Sequence, residues 1–243
     1  MEIVRVKTHD STLMQTGYTI TTAKPSIKVV QIISPVFSAC TYVVHCPSTG
    51  EALVVDPGNP EIALLVETLE LHGVKHVPYI LLTHEHFDHI GGVNGLRRQY
   101  RSTVVCSELC NRAITDPKKN MSEYFDGNGF ACEPAEWICE QHGWELLWRD
   151  CSVKAFPTPG HSPGGICFSI GQALFTGDTF LGKVKSPTHL PGGNKTALRE
   201  SLSRIMNEFN DDTIVFPGHG SSFGLGEYRR DSVAVYTAKT LEN

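Results

Sequence analysis

Apolar residues fall in short runs along most of this chain, and the runs predict strands alternating with helices. Ile27–Ile33, Thr41–His45 and Ala52–Val55 are strand-like runs separated by Pro, Ser and Gly. Glu61–Leu71 has helical apolar spacing that stops before Gly73, and Val77–Leu82 is again short enough to be a buried strand. The pattern continues with a helix over Gly92–Tyr100, a strand at Val104–Cys106 and a helix near Glu108–Ile114. It weakens from Asp116 to Gly143, where Gly127, Gly129 and Pro134 interrupt a mixture of aromatics. Strands resume at Glu145–Trp148, Val153–Pro157, Gly165–Ile170 and Ala173–Thr176. A helix is predicted over Ala197–Phe209, with Thr196 as N-cap and Glu200 placed for the reciprocal contact. Thr213–Phe216 reads as one more strand, and about the last seventeen residues as a closing helix. Strands interspersed with helices in each half predict an α/β architecture of two sheets face to face, with helices outside.

Composition narrows the setting. At 243 residues the chain is read as one domain over 1–243 that buries a substantial core. A formal charge of −5 and the lack of any Lys/Arg run argue against nucleic acid as a partner. No apolar stretch reaches transmembrane length, and Met1–Asp10 lacks the apolar centre of a signal peptide, so no membrane partner and a cytoplasmic location are expected. Cys40, Cys46, Cys106, Cys110, Cys132, Cys139, Cys151 and Cys167 have no CxxC spacing, and reduced thiols packed as small hydrophobes are expected. Cys132, Cys139 and Cys151 are a candidate for a local structural feature.

The chemistry concentrates in Thr83-His-Glu-His-Phe-Asp-His89, directly after the run Val77–Leu82. His84, His86, Asp88 and His89 lie on a strand-to-helix turn, where side chains converge on a point instead of spreading along a face. Imidazole nitrogens and carboxylate oxygens suit zinc, iron or manganese. Further candidates each follow a strand-like run and sit among Gly and Pro: His161 in Pro157-Thr-Pro-Gly-His161, Asp178 in Phe175-Thr-Gly-Asp178, and His219 in Val215-Phe-Pro-Gly-His219. Asp56 ends the run Ala52–Val55 and is either an orienting carboxylate or a turn former.

On His84-x-His86-x-Asp88-His89, His161, Asp178 and His219, the chain resembles the metallo-β-lactamase superfamily from about Ile27 to Gly220. The resemblance implies a four-layer αββα sandwich and two divalent ions, zinc first, with iron or manganese as alternatives. It would put His84, His86 and His161 on one ion, Asp88, His89 and His219 on the other, and Asp178 between them. Asp88 would also be catalytic, accepting a hydrogen bond from the attacking hydroxide. Zinc β-lactamases usually carry Cys or Ser where Asp178 stands, which points away from antibiotic hydrolysis.

The stretches Asp116-Pro-Lys-Lys-Asn120-Met-Ser122, His161-Ser-Pro-Gly164 and Leu190-Pro-Gly-Gly193 look like glyoxalase II-like thioesterases, in a short bacterial hydroxyacylglutathione hydrolase-like branch. Twenty-four residues follow His219, so the long helical part of full-length glyoxalase II is not expected. Where relatives often have Gly-Arg-Thr-Asp, this chain has Ser186-Pro-Thr-His189, with Lys183 and Lys185 nearby either to meet a carboxylate or to lie in a solvated loop.

The expected activity is hydrolysis of a small acyl thioester or ester by a monomer or homodimer. Residues 116–143 are the candidate lid, with Tyr124, Phe125, Phe130 and Trp137 either lining an acyl pocket or packing on the sandwich. Alternatives are a persulfide dioxygenase using one iron held by His84, His161 and Asp178, a phosphodiesterase, a lactonase, and a metal-binding module without catalysis. His189 has no assigned place, and His72, His76 and His142 read as surface residues.

Overall fold

A computed structural model describes residues 3–7, 14–20, 27–139 and 143–232. One sheet joins β1 (Ile3–Lys7), β2 (Met14–Ile20), β3 (Ile27–Ile33), β4 (Cys40–Cys46), β5 (Glu51–Val55), β6 (His76–Leu81), β7 (Thr103–Cys106) and β8 (Trp137–Ile138) in sequence order. The second joins β14 (Phe223–Gly224), β13 (Ile214–Pro217), β12 (Ala173–Gly177), β11 (Ile166–Ile170), β10 (Cys151–Pro157) and β9 (Glu145–Trp148) in that spatial order. Helices α1 (Ala63–Leu71), α2 (Phe87–Ile90), α3 (Val93–Tyr100), α4 (Glu108–Ile114), α5 (Ser122–Asp126) and α6 (Lys195–Glu208) connect them, and residues 225–232 form a further helix, α7.

The four layers follow from strand alternation, because successive side chains point to opposite faces. In β4, Cys40, Tyr42, Val44 and Cys46 face the second sheet, where they meet Phe168, Phe175 and Phe216 in the core between the sheets. Val43, with Val30 from β3 and Val54 from β5, faces outward onto Leu65 and Leu69 of α1, Leu96 of α3 and Ile114 of α4. On the far side, Cys167, Leu174 and Val215 pack under Ile205 of α6 and Leu225 of α7. Strands covered on both faces are apolar throughout, which is why the sequence shows runs instead of alternation. The result is the αββα arrangement expected.

Several local expectations are corrected. Helix α6 starts at Lys195, and its N-cap is Asn194, whose side-chain oxygen accepts from both Thr196 N and Ala197 N at 3.0 Å. Thr196 therefore lies inside the first turn. The helix expected over Gly92–Tyr100 is α3, and the single turn α2 precedes it. The closing helix is described only to residue 232, and its remainder lies outside the described residues, as does His142. His72 is half-buried, its ring 4.8 Å from that of buried His45.

All eight cysteines are free and buried. Cys139 and Cys151 lie in the core between the sheets, whereas Cys132 lies under the outer helices, so the three do not form one cluster.

Candidate metal centre

The residues picked out by donor chemistry sit past the C-terminal ends of strands running in one direction. β5 and β6 are parallel, as are β12 and β13, and β10 shares the direction of β12 through antiparallel β11. Asp56 follows β5, the 84–89 turn follows β6, His161 follows β10, Asp178 follows β12 and His219 follows β13. One edge of the sandwich therefore collects side chains separated by more than a hundred residues, on turns anchored in rigid strands.

Two groups of donors form there, each with its ligand atoms within 4.8 Å of one another: His84, His86 and His161, and Asp88, His89 and His219. Asp178 stands between them. Its Oδ2 is 3.5 Å from His161 Nε2 and 3.4 Å from His219 Nε2, while its Oδ1 is 3.6 Å from His89 Nε2. Asp88 Oδ2 lies 3.5 Å from His219 Nε2 and 3.8 Å from His89 Nε2. His161 Nε2 and His86 Nδ1 meet at 3.0 Å. Gly177, at φ +47, precedes Asp178; a Cβ there would run into Thr83, so the close approach of the two turns requires glycine.

Outer contacts fix which ring nitrogen of four histidines faces inward. Thr83 N and Oγ1 donate to Asp56 Oδ1 and Oδ2 at 2.8 and 2.5 Å. The Thr83 hydroxyl, its proton committed to Asp56, accepts from His84 Nδ1 at 3.1 Å. His89 Nδ1 donates to Asp56 Oδ2 at 3.1 Å. Asp56 also belongs to a possible donor group with His84 and His89, but both of its oxygens already hold these contacts. It acts as an orienting carboxylate. His161 Nδ1 donates to the Pro187 carbonyl at 2.9 Å, and His219 Nδ1 to the Phe37 carbonyl at 3.1 Å. In all four rings Nδ1 is engaged outward and Nε2 is left facing inward, the nitrogen a metal ligand would use.

The buried atoms His84 Nε2, His89 Nε2 and Asp178 Oδ1 have no hydrogen-bond partner. Buried polar atoms are ordinarily satisfied, and three orphans converging on one point fit a site completed by cations. The electrostatics agree. Burial, then its histidine neighbours, hold His84 well below the usual imidazole range, and burial with His161 and His89 depresses His86 to about 3. Burial opposes charge on His89 too, but Asp88, Asp56 and Asp178 outweigh it and raise His89 to about 10. For Asp178, burial favours the neutral acid, yet His219, His89 and His161 prevail and keep the carboxyl below its usual range. The two groups thus differ: burial keeps His84 and His86 in the neutral form, whereas on His89 and His219 burial is outweighed by the neighbouring carboxylates, which favour charge.

One side is open: the side chains of His219 and Asp88 are 27% and 12% exposed, against 0–2% for His89 and His161. Beside that opening stand three aromatic rings. Phe37 is 62% exposed and Phe125 53% exposed. Phe37 lies 5.5 Å from both Phe87 and Phe125, and Phe87 stacks on Phe125 at 4.8 Å. Of the other aromatics considered, Phe130 packs against the outer core, and Trp137 pairs with Tyr79 at 5.1 Å on the sheet edge. Residues 130–139 are tied down by Arg97 to Glu133 and Pro134, by Asn111 to Ala135, and by the pairing of β8 with β7. Lys183 pairs with Asp231 at 2.9 Å, and His189 is exposed.

Phe37, Thr83 and the Pro187 carbonyl escaped the reading of the sequence. Thr83 stands beside the motif and offered a signal, a hydroxyl next to a candidate ligand; backbone acceptors offer none.

With fold and donor geometry established, the comparisons with known proteins assign the class. The chain belongs to the metallo-beta-lactamase superfamily, whose pattern it matches over residues 33–219. Among its relatives is hydroxyacylglutathione hydrolase GloC of Haemophilus influenzae, 28% identical over 186 residues, covering 74% of this chain and 85% of that protein. Among solved structures, BLEG-1 B3 metallo-beta-lactamase is 30% identical with a TM-score of 0.75, covering 81% of this chain and 93% of the other. ETHE1 from Myxococcus xanthus is 25% identical with a TM-score of 0.67, covering 83% and 81%.

Proposed function

We propose that this protein is a binuclear metal-dependent hydrolase that cleaves a small acyl thioester. The observation that carries the reading is the pair of donor groups with Asp178 between them, among them three buried atoms without a hydrogen-bond partner. His84, His86 and His161 would hold one divalent ion and Asp88, His89 and His219 the other, zinc being the first expectation. Bound there, such ions would acidify a water molecule and polarise the acyl carbonyl.

The chain's own residues supply the rest. Asp88, on the exposed side of the centre, accepts a hydrogen bond from the attacking water and aims its lone pair at the acyl carbon. The water oxygen bonds to that carbon, the C–S bond breaks, and the sulfur departs as thiolate, a leaving group that needs little protonation. The water's proton passes by way of Asp88 to the departing thiolate or to solvent. Phe37, Phe87 and Phe125 receive the apolar part of the substrate and exclude water from that side.

We read residues 1–243 as one catalytic domain, with α5 as the part of 116–143 that bounds the site. The likeness to GloC supports thioester hydrolysis. Acidic balance argues against a nucleic-acid polymer, and eight buried thiols suit the reducing cytoplasm.

A second reading is persulfide oxidation at one iron held by His84, His161 and Asp178, which the likeness to ETHE1 keeps in view. Metal analysis with a panel of acyl thioesters, lactones, phosphodiesters, a β-lactam and a persulfide under oxygen separates the readings. Thioester turnover with about two ions per chain is expected, and Asp88→Asn should keep much of the fold while losing most of the rate. Oxygen consumption with iron alone would replace hydrolysis by the second reading.

A further inference from the structure

Glu85 lies between two of the candidate ligands and takes no part in either donor group. It is 3% exposed, yet carries a carboxyl where an apolar side chain would avoid any desolvation. Its contacts explain its presence. Ser162 Oγ donates to Glu85 Oε2 at 3.1 Å, and Gly164 N approaches Oε1 at 3.5 Å. Ser162 follows His161 directly. The same turn is held from two other directions: Ser107, the N-cap of α4, donates to the Gly164 carbonyl at 2.7 Å, and Ile166 N donates to the Thr83 carbonyl at 2.8 Å. Residues 83–85 and 162–166 are thereby stitched together where the two sheets meet. Gly164 leaves the space the carboxyl occupies, since a Cβ at that position would strike Glu85 Oε2.

We propose that Glu85 is a positioning residue. Through Ser162 and Gly164 it locks the His84–His86 turn to the His161 turn and so sets the geometry of one metal site. This rests on the reading of His84, His86 and His161 as metal ligands. Those three side chains come from two turns on different sheets, and the 3.0 Å approach of His86 Nδ1 to His161 Nε2 depends on how the turns are spaced. The Glu85 carboxyl is a side-chain bridge between them, through Ser162 and Gly164.

The test compares zinc affinity, by chelator competition on stripped full-length protein, across Glu85→Leu, Glu85→Gln and Ser162→Ala. Leu fills the volume without hydrogen bonds. Gln can accept from Gly164 N and donate to the Ser162 hydroxyl, so it keeps the bridge. Glu85→Leu should weaken zinc binding by about 10–100-fold, the range seen when support of a ligand is lost. Glu85→Gln should stay within about threefold of wild type by retaining the bridge. Ser162→Ala, which should fold even if the Leu variant does not, should lose affinity in the same direction, and adding it to Glu85→Leu should cost nothing more. If wild type binds zinc and Glu85→Leu and Ser162→Ala bind it equally well, the bridge is overturned. A lowered melting temperature of the stripped variants with unchanged affinity overturns it too, because the role would then be structural alone. If wild type itself takes up no ion, the metal reading falls, and this proposal with it.

Discussion

The two halves of the candidate centre are assembled differently. The first sheet contributes His84, His86, Asp88 and His89 from one turn, and a single side chain, Asp56, orients His89 directly and His84 through Thr83. The second sheet contributes His161, Asp178 and His219 one at a time from three turns, and the two histidines are oriented by backbone carbonyls of Pro187 and Phe37. The first half is local and set by side chains. The second depends on loops being held where they are, from across the core: Tyr42 OH donates to the Pro217 carbonyl at 2.6 Å, and Gln31 Nε2 to the Gly220 carbonyl at 2.7 Å. Substitution should therefore damage the first half through an acceptor side chain, and the second only through what pins its loops.

The largest effect is expected at Asp178, the residue belonging to both halves. Asp178→Ala should abolish turnover and lower metal content, measured by elemental analysis; full activity with both ions retained would remove the carboxylate from between the groups. Next comes Asp56→Ala, which deprives two histidines of their orientation and should cost about 10–100-fold in metal affinity or rate. An effect no larger than at an ordinary turn aspartate would dissolve the contrast between the halves. The smallest is Tyr42→Phe, which removes the buried hydrogen bond to the Pro217 carbonyl. It should lower stability by about 1–3 kcal/mol in denaturant unfolding, with a small loss of affinity at the His219 side; stability equal to wild type would show that this bond does not hold the loop.

The contrast also marks what the sequence could tell. The strands β3–β7 and β9–β13 were legible because each is an apolar run ended by Gly, Pro or a polar turn. Helix α6 was legible in extent, but its cap was not: Thr196 and Asn194 are both good N-cap residues, and only the backbone path decides that Asn194 takes the role. The two-residue strands β8 and β14 and the single turn of α2 are too short to show a period. Strands β1 and β2 precede the first strand expected, so the first sheet is two strands wider than its apolar runs suggested.

At the centre, the seven donors could be picked out because their residue types are costly to bury without a purpose, and the fold brings all seven to one edge. What supports them was hidden. The carbonyls of Phe37 and Pro187 carry no signature in residue type, and the Asp56 to Thr83 to His84 relay exists only once β5 lies beside β6. The aromatic rim was legible only at Phe125, a candidate for the acyl pocket, and hidden at Phe37 and Phe87 for a similar reason. The three become one rim only when Phe37, some fifty residues away from Phe87, is placed against both Phe87 and Phe125.

The central claim is that imidazole and carboxylate groups from both sheets hold two cations about a shared aspartate. Anomalous X-ray scattering from crystals of the stripped protein soaked in zinc tests it most directly. The account predicts two peaks, one among His84, His86 and His161 and one among Asp88, His89 and His219, with Asp178 touching both. A single peak away from Asp178, or none at these residues in a protein that remains active, would contradict it.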